Sequence, residues 1–197
     1  MASTGLNALL ARRPIIISLA GPNGAGKSTF FDAFLSKTGL YFVNADVLSL
    51  SLGIDPYQAA DLADKLRHQL LEQRESFIFE TVFSDPVGDK LRFLQHAERS
   101  GYNILLIFIG LASAELSESR VAMRAAAGGH DVPEAKIRDR FPRILNNLES
   151  AFSELSNVLV YDHSDLEAGY RLVASREDGQ SVHLYKPTPA WLRPLLP

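Results

Sequence analysis

The run Gly21-Pro22-Asn23-Gly24-Ala25-Gly26-Lys27-Ser28-Thr29 fits the pattern G-x-x-x-x-G-K-[ST] at every fixed position. Each residue type in it has a task. Glycines admit positive φ, so consecutive backbone N–H groups can close around a phosphate, and a helix that follows points its positive end at the same anion. Lys27 has the reach for the β- and γ-phosphate oxygens, and Ser28 offers a hydroxyl to Mg²⁺. A glycine-rich turn with no ligand needs neither of these side chains. The chemistry expected here is the binding of a nucleoside triphosphate with its magnesium ion.

Two acids and a set of arginines are candidates for the rest of the chemistry. Asp46 ends the predicted strand Leu40 to Asp46, and Glu80 sits late in the predicted strand Ser76 to Val82. In open parallel sheets ligands gather beyond the carboxyl ends of the strands, so both acids belong on the edge that carries the phosphate loop. Asp46 is placed to accept a proton from a substrate hydroxyl lying in line with the γ-phosphate; its structural alternative is to cap a loop over 47–53. Glu80 is expected to hold a substrate hydroxyl or a water of the magnesium shell, or else to pair with an arginine. Thr81 and Ser84 extend the polar rim. Arg120 and Arg124 stand one helical turn apart and are the preferred clamps for charge developing on equatorial phosphate oxygens. Gly128-Gly129 supplies a hinge, which makes about 120–143 a lid-like segment, with His130 and Arg140 as further substrate contacts. Arg138 and Arg143 point in other directions around the following helix.

The elements that must position these groups alternate. After the strand Pro14 to Ala20 comes a helix over Phe30 to Thr38 that Gly39 can terminate. Asp55-Pro56 opens a helix carrying Leu62, Leu66 and Leu70, and another helix is expected from Asp85-Pro86 to Gly101. Tyr102 to Ile109 is the most apolar run, as suits a central parallel strand covered on both faces. Helices flank Gly128-Gly129; the second has a stripe of Ile137, Phe141, Ile144 or Leu145, and Leu148, and Pro142 marks a kink or break. A fifth strand spans Val158 to Asp162. The pattern predicts an α/β fold: a doubly wound, parallel, five-stranded sheet with helices on both faces. An antiparallel hairpin about Asp178-Gly179, over 171–185, is appended at an edge, followed by an irregular, proline-rich tail.

The whole chain has 197 residues, 46% apolar and 22% charged, which fits a single domain. A net charge of −3 argues against a general grip on nucleic acid, and the absence of cysteine removes disulfides and thiolate metal sites. No run is long enough to span a membrane and residues 1–13 lack a signal-peptide core, so a cytoplasmic protein is expected.

A phosphate loop alone fits several enzyme classes. An ABC-type ATPase would add a signature motif, and the strand ending at Asp162 continues into His163 where a catalytic glutamate belongs. Asp85-Pro86-Val87-Gly88 fits the GTPase pattern DxxG, but no guanine-reading motif accompanies it. An ATPase or nucleotide switch acting on a macromolecular partner is the alternative, and a scaffold that binds nucleotide without turnover is a third reading. The combination of the phosphate loop, Asn44-Ala45-Asp46, Phe79-Glu80-Thr81-Val82-Phe83-Ser84, Arg120-Val121 and Gly128-Gly129-His130-Asp131-Val132-Pro133 resembles the zeta-toxin-like kinases of bacteria over roughly residues 14–165. That resemblance implies ATP- and Mg²⁺-dependent phosphorylation of a small molecule, in zeta toxins typically a UDP-amino sugar such as UDP-N-acetylglucosamine, and offers a protein antitoxin as a partner. It implies ATP and magnesium roles for Lys27 and Ser28, the base for Asp46, a substrate contact for Glu80 and phosphate clamps for Arg120 and Arg124. The toxins' second arginine falls near His130, where Arg124 or Arg140 is the replacement. The chain also lacks the C-terminal extension of some members, so a small housekeeping kinase would read alike.

Overall fold

The computed structural model describes residues 2–129 and 131–196, so the expectation for His130 lies outside the described residues. A short helix α1 (Ala2–Leu10) precedes β1 (Ile15–Ala20). The chain then runs through α2 (Lys27–Phe30), continued by a π turn over Phe31–Leu35 and a 3-10 turn over Ser36–Thr38, to β2 (Tyr41–Val43). Next come α3 (Ala45–Leu52), α4 (Pro56–Glu72), β3 (Phe77–Thr81), α5 (Asp89–Arg99) and β4 (Asn103–Gly110). The remainder is α6 (Ala114–Ala126), α7 (Glu134–Glu154), β5 (Val158–Asp162), β6 (Arg171–Arg176) and β7 (His183–Leu184).

The strands form one sheet in the order β2-β3-β1-β4-β5-β6-β7. The first five are parallel; β6 and β7 add antiparallel at the β5 edge, as the turn at Asp178-Gly179 predicts. Alternate residues of the central strands feed two cores. Ile16, Phe77, Phe79, Leu106 and Val160 face one, while Ile15, Ile17, Ile78, Ile107 and Leu159 face the other. Burial on both faces accounts for the unbroken apolar runs. The chain reverses its direction of winding at β1, which leaves a crevice beyond its carboxyl end.

Several local expectations are corrected. β2 stops at Val43, because the Asn44 side chain accepts hydrogen bonds from the N–H groups of Asp46 (2.8 Å) and Val47 (3.2 Å) and starts α3. Asp46 therefore lies in the first turn of a helix rather than at a strand end, and 47–52 is helical rather than a loop, with Gly53 as the C-cap. α5 starts at Asp89, not at Asp85-Pro86; an Asp85 carboxylate oxygen accepts from the Asp89 N–H across the intervening turn. On α4 the most buried positions are Ala59, Ala63, Arg67 and Leu71, one step around from the leucine stripe, with Leu66 and Leu70 packed at its flank. Small alanines let that helix lie close to the sheet, which places an arginine where a leucine was expected. α7 runs unbroken through Pro142, which lies on its exposed side where a freed carbonyl can be solvated. The tail is ordered against the core: Trp191, Leu192 and Leu195 are buried, and the Trp191 ring N–H donates to Asp162 at 3.1 Å. Among the described residues no helix is long and apolar enough to cross a membrane.

Candidate active site

β1 delivers Gly21 to the sheet edge and α2 begins at Lys27, so the loop between them borders the crevice through Asn23, Gly24 and Gly26. Lys27 is 6% exposed. Its ammonium donates to the carbonyls of Gly21 and Pro22, each at 3.0 Å, and stands 3.7 Å from the Glu80 carboxylate. Burial pushes its pKa below the usual lysine value, against the opposing pull of Glu80 and Asp46. The lysine is folded back on its own loop, and an incoming phosphate would exchange those carbonyls for charged oxygens.

Glu80 ties the loop to the neighbouring strand. One carboxylate oxygen accepts from the Ser28 hydroxyl at 3.2 Å and from the Asn44 amide at 2.9 Å. Asn44 thus performs two jobs, capping the helix that carries Asp46 and holding Glu80. A serine hydroxyl beside a carboxylate is the hard oxygen set that suits Mg²⁺, which these two residues would hold together with the nucleotide's phosphates.

Two cavities meet here. The larger, about 470 Å³, is lined by the phosphate loop, Asp46, Glu80, Arg120, Arg124, His163 and Tyr170. The smaller, about 210 Å³, is lined by Asp46, Glu80, Thr81, Arg67 and Lys90 among others. Asp46, Glu80 and Val82 line both, so they form the wall between them.

Arg120 is 8% exposed. One guanidinium nitrogen donates to the Ser164 carbonyl at 3.0 Å, and the other terminal nitrogen is buried with no hydrogen-bond partner among the described residues. Burial lowers its pKa from the ordinary arginine value. Its packing on the loop explains a glycine: at Gly24, with φ +72°, a Cβ would lie 2.9 Å from that of Arg120. Arg124 lines the same cavity, and its charge is among the influences that lower the Lys27 pKa. The structure does not bring every predicted group in. Arg140 is half-buried on α7 and lines neither cavity. Arg138 pairs with Glu118 and Arg143 with Asp139. Thr81 does line the smaller cavity, while its hydroxyl accepts from the Phe83 N–H and shapes a turn.

Three residues escaped sequence reasoning. His163 and Tyr170 stack at 4.0 Å between ring centres and grip the phosphate loop from the side. The His163 Nδ1 is 2.8 Å from the Ala25 carbonyl, and the Tyr170 hydroxyl donates to the Gly26 carbonyl at 2.6 Å. At Gly26, with φ +89°, a Cβ would sit 2.7 Å from that hydroxyl. Nothing in the local sequence signals this contact, since Tyr170 is 144 residues from Gly26 in the chain. Arg67 is the third, concealed inside an amphipathic helix pattern.

Comparison with known proteins bears on the fold that carries this site. A curated protein of Haemophilus influenzae of uncharacterised function is 25% identical over 130 residues, covering 64% of this chain and 91% of that one. A bifunctional pantoate ligase/cytidylate kinase of Prochlorococcus marinus is 34% identical over 94 residues, 43% of this chain, and the match spans only 18% of that enzyme's length. Among solved structures, AvrRxo1-ORF1 in complex with AvrRxo1-ORF2 superposes with a TM-score of 0.70 at 20% identity, over 90% of this chain and 62% of that one. The PezAT toxin–antitoxin system of Streptococcus pneumoniae gives 0.57 at 17% identity over 81% and 75% of the two chains. A putative kinase from Chloroflexus aurantiacus gives 0.56 at 20% identity over 80% and 89%. These likenesses establish the fold of P-loop kinases. A family model described as an AAA domain matches residues 16–141, well over half the sequence, and the chain belongs to that family.

Proposed function

We propose that this protein is an ATP- and Mg²⁺-dependent small-molecule kinase of zeta-toxin type, which transfers the γ-phosphate to an acceptor hydroxyl. The observation that carries this reading is the position of Asp46, whose side lines both the phosphate-loop cavity and the adjoining cavity. An acceptor in the smaller cavity would present its hydroxyl between that carboxylate and the nucleotide, and phosphoryl transfer depends on such positioning. Lys27 and the loop N–H groups hold the β- and γ-phosphates. Ser28 and Glu80 hold the magnesium ion, which neutralises charge on the phosphates when bound. Arg120, with its unpaired guanidinium nitrogen, and Arg124 draw off charge that develops on the transferred group. A solved neighbour, AvrRxo1-ORF1 with ORF2, has been crystallised with ATP, which supports the choice of nucleotide.

The test is a mass-spectrometric screen for phosphorylated products, with Mg²⁺-ATP, a panel of hydroxylated metabolites that includes UDP-N-acetylglucosamine, and Lys27→Ala as the blank. A phosphorylated product absent from the blank supports the kinase. ADP formed only when a macromolecule is added, with no phosphorylated metabolite, overturns it in favour of a switch or ATPase. A protein partner of antitoxin kind belongs to the same reading, because the solved PezAT and AvrRxo1 neighbours are complexes with partner proteins. Its test is co-expression with the neighbouring open reading frames: relief of growth inhibition supports the toxin role, and harmless expression of an active kinase removes it.

A further inference from the structure

We infer that the acceptor is a compact hydroxylated molecule carrying an oxyanion, a carboxylate or a phosphate, which Arg67 and Lys90 grip in the smaller cavity. The inference rests on the kinase reading and adds the class of substrate.

Arg67 is 4% exposed, at the heart of α4. Its guanidinium lies over two rings, 5.1 Å from the centre of Phe79 and 5.9 Å from that of Phe93. Such stacking holds the planar fork in one orientation. One terminal nitrogen pairs with Asp64, and Nε is buried with no hydrogen-bond partner among the described residues. Lys90 reaches the same Asp64 oxygen at 3.2 Å. A single half-exposed carboxylate therefore answers two cations, and both cations line the cavity. Burial alone would raise the Asp64 carboxyl, but Arg67 and Lys90 outweigh it and hold it below the usual range, so Asp64 has no proton to spare for an incoming anion. An arginine buried this deeply against one outward-facing partner is short of negative charge, and an oxyanion entering the cavity supplies it.

The arrangement of the walls places the rest of the acceptor. Asp46 and Glu80 line the side shared with the phosphate loop, while Arg67 and Lys90 line the small cavity and not the phosphate-loop cavity. A bound molecule thus has its anionic group against the cations and a hydroxyl against Asp46. In transfer, the hydroxyl oxygen forms its bond to the γ-phosphorus as the bond to the β-phosphate bridging oxygen breaks; ADP leaves, and the hydroxyl proton passes to Asp46. Ala45, Ala60 and Ala63 provide room without further polar contacts. At about 210 Å³ the space falls below the roughly 300–1,000 Å³ of pockets that enclose drug-sized ligands, so the part of the acceptor seated between Asp46 and the two cations is a few carbons long.

The experiment pairs anionic and neutral acceptors: glycerate and glycerol 3-phosphate against glycerol, glucuronate and glucose 6-phosphate against glucose, with UDP-N-acetylglucosamine beside them. Transfer is followed by ADP release and product mass, and acceptor binding is measured separately by calorimetry in the presence of a non-hydrolysable ATP analogue. Wild type should bind and phosphorylate the anionic member of a pair, and the carboxylate and phosphate arms identify which oxyanion is read. Lys90→Met, which removes an exposed-side cation and spares the α4 packing, should raise the KM or Kd for that acceptor about 10- to 100-fold, the range for losing one charge-assisted hydrogen bond. Arg67→Lys should do the same, and both should leave affinity for the ATP analogue unaltered. Equal use of neutral acceptors, preference for UDP-N-acetylglucosamine, or an unchanged KM in Lys90→Met would overturn the inference while leaving the kinase standing. Anion binding that is lost in Lys90→Met, without transfer to any acceptor, would retain the anion site and sink the kinase reading.

Discussion

Glu80 meets three donors at once, the Ser28 hydroxyl, the Asn44 amide and the more distant Lys27 ammonium. Replacing it with glutamine keeps the shape and removes the charge that would balance magnesium. Glu80→Gln is therefore expected to shift the Mg²⁺ dependence of transfer to higher concentration, about tenfold or more, with far less effect on binding of metal-free ATP. A magnesium titration that superposes on the wild-type curve would remove Glu80 from the metal site. Asp46 is held by a different device: its own N–H is fixed by the Asn44 cap, which leaves the carboxylate between the two cavities. Asp46→Asn should lower kcat by about 10²- to 10⁴-fold, the span associated with general acid–base groups, while Mg²⁺-ATP still binds. Transfer within a few fold of wild type would mean that another group takes the proton. Of these two acids the sequence disclosed the type and the edge of the sheet. It did not disclose Asn44 as their common support, since the predicted strand ran through Asn44 to Asp46 and left no helix start there for it to cap.

At the scale of elements, α6 and α7 bracket the Gly128-Gly129 turn, and Arg138 on α7 grips Glu118 on α6 through both oxygens, at 2.5 and 2.8 Å. This pair ties the arginine-bearing α6 to α7, while the Ser117 hydroxyl of α6 donates to the Asn23 carbonyl of the phosphate loop at 2.6 Å. Arg138 holds the Glu118 carboxyl below its usual range. The native state therefore binds that proton more weakly than the unfolded chain does. The pair's contribution is complete above the ordinary carboxylate range and is lost as pH falls through the depressed native value. Glu118→Gln should melt earlier than wild type at pH 7, and the gap in Tm should close on acidification toward pH 3. A gap that stays constant into acid would show that charge plays no part in it. The same two helices show why one predicted cluster dissolved. Five arginines between positions 120 and 143 diverge on two helices, so Arg120 and Arg124 line the cavity, Arg138 and Arg143 make ion pairs, and Arg140 does neither among the described residues.

For the molecule as a whole, the long-range ties are those that no window of sequence contains. Trp191, the one tryptophan of the chain, is buried against Phe108 at 6.2 Å between ring centres and donates to Asp162, which also accepts from Ser164 and Arg171. Asp162 is thereby committed to fastening the tail and the added hairpin to the parallel sheet. Trp191→Ala is expected to destabilise the fold by about 3–5 kcal/mol in urea titrations, as large aromatic deletions do. The conservative Trp191→Phe should lose much less; equal stability of all three proteins would mean that the tail is not docked in solution. The sequence by itself determined the phosphate loop, the alternation of strands and helices, the edge on which the acids stand and the antiparallel hairpin. All of these follow from short-range rules: fixed spacing around a phosphate, hydrophobic period, and turn chemistry. Only the tertiary structure decided that Arg67 rather than a leucine faces the smaller cavity, that His163 and Tyr170 grip the loop, and that the proline-rich tail closes the core. The reason is that a helical or strand period specifies a face but not its partner. Which buried polar group that face carries, and what answers its charge, is set by residues tens to more than a hundred positions away.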